Sequence, residues 1–213
     1  MKTGLTLEQL AAEITRQQSA KEDYVVNTGN LRLESYGPDL TLRVLDSDGA
    51  DRIEPLEIGD IAHRQIGTHL SIPAKYYERM RSEDPGLLAH NVNTWLERTP
   101  AQRMIRVLDG KARAYLSNRY LRMDNYSIAS AVLPILAEIP DVRIESCQIT
   151  DSRMYIKAVN PRLQEDVTPG DTVQAGVVIS NSEVGLGSVN IQPLIYRLVC
   201  SNGMVVNDAA TKR

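Results

Sequence analysis

Apolar residues recur with helical spacing in the first half of the chain and with strand-like alternation in the second half. Thr6 to Gln9 fits a helix capping box, and the apolar residues that follow predict a helix to about Ser19. Helical spacing returns between residues 60 and 98, where three short helices are predicted. Short strand-like runs lie between these helical segments, at residues 24–27, 31–35 and 40–46.

From residue 101 the predicted order is a hairpin, a helix, a second hairpin and a long third hairpin. The helix begins at Asp124 or Asn125, and Pro134 inside it is expected to kink or shorten it. Residues 160–171 contain two prolines and are predicted to form a mobile loop. A last hairpin turn is predicted at Asn202-Gly203.

These patterns predict an α+β fold, an antiparallel sheet built of hairpins with packed helices, plus an N-terminal helical unit. Thr99-Pro100 is expected to be a joint between residues 1–100 and residues 101–213. We expect these two regions to form one continuous domain, since the chain is long enough to bury a sizeable core.

The first hairpin of the second half carries an unusual share of the positive charge. Arg103–Leu108 and Lys111–Ser117 flank Asp109-Gly110, a preferred two-residue turn. This turn predicts that Arg106 lies opposite Arg113 and that Met104 lies opposite Tyr115. One face of the hairpin would then carry Arg106, Lys111, Arg113 and Tyr115. The other face would carry Ile105, Val107, Ala112, Ala114 and Leu116 and would lie on the core.

Charge is distributed unevenly along a chain whose formal net charge is -3. Residues 1–100 hold 11 basic and 16 acidic side chains, for a net charge of -5, and residues 101–213 hold 13 and 11, for +2. The stretch 103–122 alone carries six basic residues and one acid, which is +5. Such clustering can support polyanion binding by an acidic protein, because local phosphate neutralisation governs the affinity.

Basic and aromatic residues alternate in this stretch and again in the second hairpin, a pattern typical of single-strand binders that combine phosphate contacts with base stacking. We therefore predict a single-stranded DNA-binding surface. Its candidate residues are Arg106, Lys111, Arg113, Tyr115, Arg119, Tyr120, Arg122, Arg153, Tyr155 and Lys157. The alternative is that they form the solvated face of two half-buried hairpins.

Catalytic and metal-binding patterns are weak, and we predict neither an enzyme nor a cofactor. No nucleophile elbow, phosphate-binding loop or dinucleotide fingerprint occurs in the sequence. His63, His69 and His90 have no spacing typical of metal ligands and are interpreted as structural. Cys147 or Cys200 is a candidate nucleophile only in a third hypothesis, that of a cysteine-dependent enzyme.

No apolar run is long enough to span a membrane, and the N-terminus lacks the apolar core of a signal peptide, so a cytoplasmic protein is expected. The polar positions Ser180–Glu183, Asn190 and Gln192 border an otherwise apolar hairpin. We interpret them as edge or subunit-contact residues.

Four segments carry a resemblance to a known family: HRQIGTHLSIPAKYYERM (63–80), NVNTWL (91–96), RVLDGKARAYLSNRYLRMDNY (106–126) and GVVISNSEVGLGSVNIQPLIYRLVCSNGMVV (176–206). The chain resembles the phage/plasmid-like family of domains of unknown function. Members of that family continue past an Asn-Gly-Met element, which implies that this chain is truncated or ends in a disordered tail. The family implies no activity residue by residue.

The order of hairpin, helix and hairpin is similar to that of single-strand annealing recombinases of the RecT, Redβ and Rad type. This resemblance implies a homo-oligomer that holds single-stranded DNA in recombination or replication. The alternative is a protein-interaction module without nucleic-acid binding, such as an inhibitor of a host defence or replication factor, whose acidic half mimics DNA.

Overall fold

The structure is a computed structural model that describes residues 4–168 and 171–197. Over these ranges it contains five α-helices and ten strands in two antiparallel-dominated sheets, which confirms the predicted α+β class. The chain forms two compact units. Unit 1 comprises Met1–Gln18 and Arg122–Arg213, and unit 2 comprises Ser19–Leu121.

The boundary between the units therefore falls after Leu121 and not at Thr99-Pro100, where the sequence predicts a joint. The reason is strand pairing. The hairpin of residues 102–117, which we call the basic hairpin, supplies two inner strands of the sheet of unit 2. Its first strand pairs with residues 21–27, and its second strand pairs with residues 57–58.

Unit 2 is a six-stranded sheet with three helices. The strands are β1 (Lys21–Asn27), β2 (Leu31–Tyr36), β3 (Asp39–Val44), β4 (Leu56–Ile58), β5 (Gln102–Leu108) and β6 (Lys111–Ser117). Their order across the sheet is β1-β5-β6-β4-β3-β2, and β4 and β6 form the one parallel pair among the named strands. The helices are α2 (Asp60–His69), α3 (Ala74–Glu83) and α4 (Pro85–Arg98). Apolar residues of these helices and of one sheet face form a single core.

The edge strand β2 is closed by a side chain of α4. Asn93 Oδ1 accepts a hydrogen bond from the Leu33 N–H at 2.8 Å, and Asn93 Nδ2 donates to the Leu33 carbonyl at 2.9 Å. The amide thus supplies both bonds that a further strand would make at Leu33, which hinders pairing of this edge with another chain. The helix itself is capped by Asp84, whose carboxylate accepts from the Leu87 N–H at 2.9 Å.

Unit 1 is a four-stranded antiparallel sheet with two helices on one face. The helices are α1 (Leu7–Ala20), whose last two residues belong to unit 2, and α5 (Asn125–Glu138). The strands are β7 (Arg143–Ile149), β8 (Met154–Asp166), β9 (Thr172–Asn181) and β10 (Asn190–Arg197), in the order β10-β9-β8-β7. Thr6 and Gln9 form the predicted capping box, with reciprocal bonds of 2.9 and 3.2 Å.

Pro134 lies within α5, which continues to Glu138, so the proline does not end the helix. The prediction of a loop at residues 160–171 is wrong in its first part. Residues 160–166 are not a loop but the end of β8, which pairs with β9 again beyond an irregularity between Asn160 and Gln164. Pro161 lies within this irregularity, where β8 and β9 are not paired, so it does not interrupt the hydrogen-bonded ladder. The predicted turn at Asn202-Gly203 lies outside the described residues.

Candidate nucleic-acid interface

The basic hairpin forms at the predicted turn but not in the predicted register. Asp109 and Gly110 have φ values of 53° and 74°, as a primed two-residue turn requires. A β-bulge then shifts the pairing, so that Arg106 lies opposite Ala114 and not Arg113. Beyond the bulge every side chain of β6 lies on the opposite face from the one that simple alternation predicts.

The bulge turns Tyr115 into the core of unit 2, where its side chain is 3% exposed. Its hydroxyl lies 2.8 Å from His69 Nδ1, and its backbone N–H donates to Gln65 Oε1 at 2.8 Å. Burial raises the pKa of the Tyr115 hydroxyl, which keeps its proton. The prediction that Tyr115 lies on an exposed basic face is therefore wrong, and its ring is unavailable to stack on a base.

Arg106 is also buried, with 3% of its side chain exposed. Its guanidinium donates from Nε to Asp23 Oδ1 at 2.9 Å and from Nη2 to Asp23 Oδ2 at 3.2 Å. Because Asp23 on β1 lies directly opposite Arg106 on β5, the pair is fixed by strand register. This bidentate pair is a structural contact. The expectation that Arg106 faces solvent or a phosphate is wrong.

The two other candidate cations of the hairpin strands, Lys111 and Arg113, also interact within the chain. Lys111 Nζ lies 2.6 Å from Glu57 Oε1, and the two residues are partners in the parallel pairing of β6 and β4. Arg113 is half-buried at the bulge and has further interactions in the chain. The loop that follows β6 holds the remaining candidates, Arg119 and Arg122, which are exposed, and Tyr120, which is half-buried.

Tyr155 and Lys157 of the second hairpin lie side by side on one face of the sheet in unit 1. The alternate residues of β8, Met154, Ile156 and Ala158, pack on α1 and α5, so Tyr155 and Lys157 point to the other face. Both are partly exposed, and neither has a hydrogen-bond or ion-pair partner among the described residues. Arg153 lies just before β8, where its guanidinium donates to the Leu186 carbonyl.

Polar side chains of β7, which adjoins β8, and of β10, which is separated from β8 by β9, lie in the same two rows as this pair. The sequence pattern did not assign them to the site. Gln148 lies opposite Tyr155 on β7, and Ser146 lies opposite Lys157. On β10, Asn190 and Gln192 occupy the same two rows and are exposed. Amide side chains can hydrogen-bond base edges. The alternation of these polar residues with apolar ones in the sequence predicts that they share a sheet face. It does not predict which strands are neighbours. We call Gln148, Tyr155, Lys157, Asn190 and Gln192 the open face.

The other end of the same sheet face is closed by its own polar network. Tyr196 donates from its hydroxyl to Glu145 Oε1 at 2.6 Å, and Arg143 Nη2 lies 3.5 Å from Glu145 Oε2. The hydrogen bond to Glu145 is the main cause that raises the pKa of the Tyr196 hydroxyl. Because these groups satisfy one another, the open face is confined to the end that carries Tyr155.

The polar segment Ser180–Glu183 is buried and is not a subunit-contact edge. Glu183 Oε1 accepts from the Asn125 N–H at 2.6 Å, so it caps the first turn of α5. Asn181 Nδ2 donates to the Met123 carbonyl at 2.7 Å and to Asn125 Oδ1 at 2.9 Å. These bonds tie the β9–β10 turn to the start of the helix, and they give the segment a structural role.

Unit 2 contains a cleft of about 810 Å³ beside His63. His63 is 2% exposed, and its Nδ1 lies 2.9 Å from the buried Tyr77 hydroxyl. Burial, with a smaller effect of the nearby Arg81, lowers the pKa of His63 to about 4. The imidazole is therefore neutral near pH 7. The Arg81 guanidinium in the cleft wall lies 2.8 Å from the Asp60 carboxylate and 3.5 Å from that of Glu78.

Neither a metal centre nor a reactive thiol is evident in the described residues. No group of three or more His, Cys, Asp or Glu side chains in residues 4–168 and 171–197 is arranged to hold a metal ion. Cys147 is 1% exposed, and burial raises the pKa of its thiol. A protonated, inaccessible thiol is a poor nucleophile. Cys200 lies outside the described residues. No helix in the described ranges is long and apolar enough to cross a membrane.

Comparison with known proteins adds a family match for the second half of the chain. Residues 114–213 match the family model described as a domain of unknown function (DUF932). No curated protein and no solved structure matches the chain. The matched part contains the loop cations Arg119 and Arg122 and the whole open face, whereas the strands β1 to β5 lie outside it.

Proposed function

We propose that the chain binds single-stranded nucleic acid through the open face of unit 1. The observation that carries this proposal is the side-by-side position of Tyr155 and Lys157, which are partly exposed and have no partners among the described residues. An aromatic ring next to a cation is the combination that single-strand binders use for base stacking and phosphate contact. Both residues belong to the part of the chain that matches the family of unknown function.

In this proposal Tyr155 stacks on one base and Lys157 contacts an adjacent phosphate. Arg153 supports the phosphate contact from the turn before β8, and the exposed Arg122 adds positive charge within unit 1. Gln148, Asn190 and Gln192 offer hydrogen bonds to base edges. Arg106 and Tyr115 take no part, because both are buried in unit 2.

Anisotropy of a labelled oligo(dT) tests the stacking role. Base–aromatic stacking contributes about 1–3 kcal/mol per base, so Tyr155→Ala should weaken binding roughly 5- to 150-fold. Tyr155→Phe keeps the ring and should bind like the wild type. The matched control is Tyr36→Ala, since Tyr36 is a 60% exposed tyrosine in unit 2. Equal affinities for Tyr155→Ala and Tyr36→Ala would exclude the stacking role.

Self-association and strand annealing form the second part of the proposal, which is motivated by the resemblance to annealing proteins. Light scattering with and without a long oligonucleotide tests this part, and we expect an oligomer whose mass increases on DNA binding. A monomer that binds no oligonucleotide but retains a stoichiometric protein partner would instead support the interaction module.

A further inference from the structure

Arg103 on β5 is a partly buried cation that has no anionic partner in the described part of the chain. Its Nε atom is buried without a hydrogen-bond acceptor, and no described carboxylate lies within ion-pair distance of it. Arg106, three residues further along the same strand, differs in this respect because its guanidinium donates two hydrogen bonds to the Asp23 carboxylate. A buried donor without an acceptor destabilises the folded chain, and a charged donor does so more strongly.

Aromatic groups hold the Arg103 side chain in this position. The guanidinium carbon lies 5.6 Å from the centre of the Tyr115 ring, a distance typical of a cation–π contact. The Tyr115 hydroxyl in turn bonds His69, whose ring centre lies 5.5 Å from that of Tyr115. This contact orients the guanidinium, but a ring face cannot neutralise its charge as an anion would.

A second donor lies next to Arg103. Ser117 on β6 is directly opposite Arg103 in the hairpin register and is exposed. Side chains of directly opposed residues lie on the same sheet face, with Cβ atoms about 4.5–5.5 Å apart. Ser117 Oγ accepts from the Arg119 N–H at 3.2 Å, so its own O–H remains available to donate.

We propose that Arg103 and Ser117 bind a phosphate group at this end of the basic hairpin. A guanidinium fork and a hydroxyl are typical phosphate ligands. The exposed Arg119, whose N–H donates to Ser117 Oγ, adds a second cation beside this pair and favours a multiply charged anion over a single carboxylate. This site goes beyond the proposed function, because it lies in unit 2 and takes a phosphate group whether or not the open face binds nucleic acid.

His69 provides a reporter for phosphate binding. Burial and, to a smaller extent, the Arg103 charge lower the pKa of His69. A phosphate bound to Arg103 offsets that charge, so it should move the titration midpoint of His69 upward. The exposed His90 of the same unit serves as an internal control in the same spectra.

The experiment is an NMR titration of the histidine ring signals of the full chain with inorganic phosphate, at ionic strength matched with chloride. We expect phosphate to raise the titration midpoint of His69 and to leave the signals of His90 unchanged. Arg103→Gln should weaken phosphate binding roughly 10- to 100-fold, and Ser117→Ala should weaken it less. A wild-type His69 signal that responds equally to phosphate and chloride would overturn the proposal, whatever the variants do.

Two further ligands distinguish the sources of the phosphate group. Saturation by thymidine monophosphate but not by an oligo(dT) without terminal phosphates would identify a site for free phosphate monoesters. Saturation at lower concentrations of oligo(dT) would identify a site for the nucleic-acid backbone. The Tyr155→Ala variant should leave the response of His69 to inorganic phosphate and to thymidine monophosphate unchanged. The experiment therefore distinguishes a failure of this phosphate site from a failure of the open face.

Discussion

The Arg106 guanidinium and the Asp23 carboxylate form a bidentate ion pair across β5 and β1, with N–O distances of 2.9 and 3.2 Å. Their side chains are 3% and 10% exposed. The residue that the sequence singles out as a phosphate ligand is thus the internal partner of an acid 83 positions away. A charge count along the sequence cannot separate these two roles.

Removal of Arg106 should destabilise unit 2 severely. Arg106→Ala leaves the nearly buried Asp23 carboxylate without its guanidinium partner, which typically costs about 3–5 kcal/mol. Urea denaturation followed by circular dichroism gives the free energy of unfolding. The matched control is Arg79→Ala, because Arg79 pairs with Glu83 at 2.9 Å but both side chains are more than 60% exposed. We expect a change of about 0.5 kcal/mol or less for this control, and similar losses for both variants would contradict the structural role of the buried pair.

Gln65 should stabilise the bulge in the basic hairpin. Its side-chain oxygen accepts the Tyr115 N–H at 2.8 Å, and without it that donor is left unsatisfied. We expect Gln65→Ala to lower the free energy of unfolding by about 1–3 kcal/mol. Hydrogen exchange of the Tyr115 amide should accelerate in the same variant. Gln65→Glu keeps an acceptor oxygen and serves as the control, so unchanged amide protection in Gln65→Ala would show that another group satisfies the bulge.

The buried His63 should make stability depend on pH. Its pKa is about 4 in the folded protein and about 6.5 when unfolded. Between these values the unfolded chain binds the extra proton, so the free energy of unfolding should fall as the pH drops from about 6.5 to about 4. The loss amounts to roughly 3 kcal/mol at most.

The effect of His63 can be isolated by comparing variants in urea titrations at several pH values. His63→Gln removes the titrating group and should flatten the pH dependence in this window relative to the wild type. His90→Gln, at an exposed histidine, should leave the wild-type slope intact. A wild-type slope that persists in His63→Gln would assign the pH dependence to the carboxylates instead.

Glu183 should stabilise the start of α5 in unit 1. Its carboxylate is 5% exposed and accepts from the Asn125 N–H at 2.6 Å. Glu183→Ala removes this cap and should cost about 1–2 kcal/mol of unfolding free energy, as the loss of a helix N-cap does. Glu138→Ala, at the other end of the helix, is the control. An unchanged thermal midpoint in Glu183→Ala would show that Asn181 alone holds the turn to the helix.

Much of the fold follows from local sequence patterns, because capping boxes, helical spacing and the Asp-Gly turn act over a few residues. The helices α2 to α4, with apolar residues at helical spacing, and the position of the basic hairpin are examples. Local patterns do not predict contacts between residues that are distant in the sequence. The bulge at Arg113 shifts the register of β6 by one residue and reverses its faces, which places Tyr115 against the distant His69.

The candidate site shows the same division. Alternation along β8 correctly pairs Tyr155 with Lys157 on one face, since a regular strand connects them. The sequence does not reveal that Gln148 and Gln192 occupy neighbouring rows, because those rows depend on strand order. It also does not reveal that Arg103 lacks an anionic partner among the described residues whereas Arg106 has one.

The salt dependence of oligo(dT) binding tests the central claim most directly. Each phosphate contact to a single strand contributes about -0.7 to the slope of log K against log salt concentration. A variant with Arg153→Gln and Lys157→Gln should therefore show a slope shallower by about 1.4 than the wild type. Arg162→Gln, which removes an exposed cation of β8 that pairs with Asp141, should keep the wild-type slope. A wild-type protein that binds no oligo(dT), or a double variant with the wild-type slope, would contradict nucleic-acid binding by the open face.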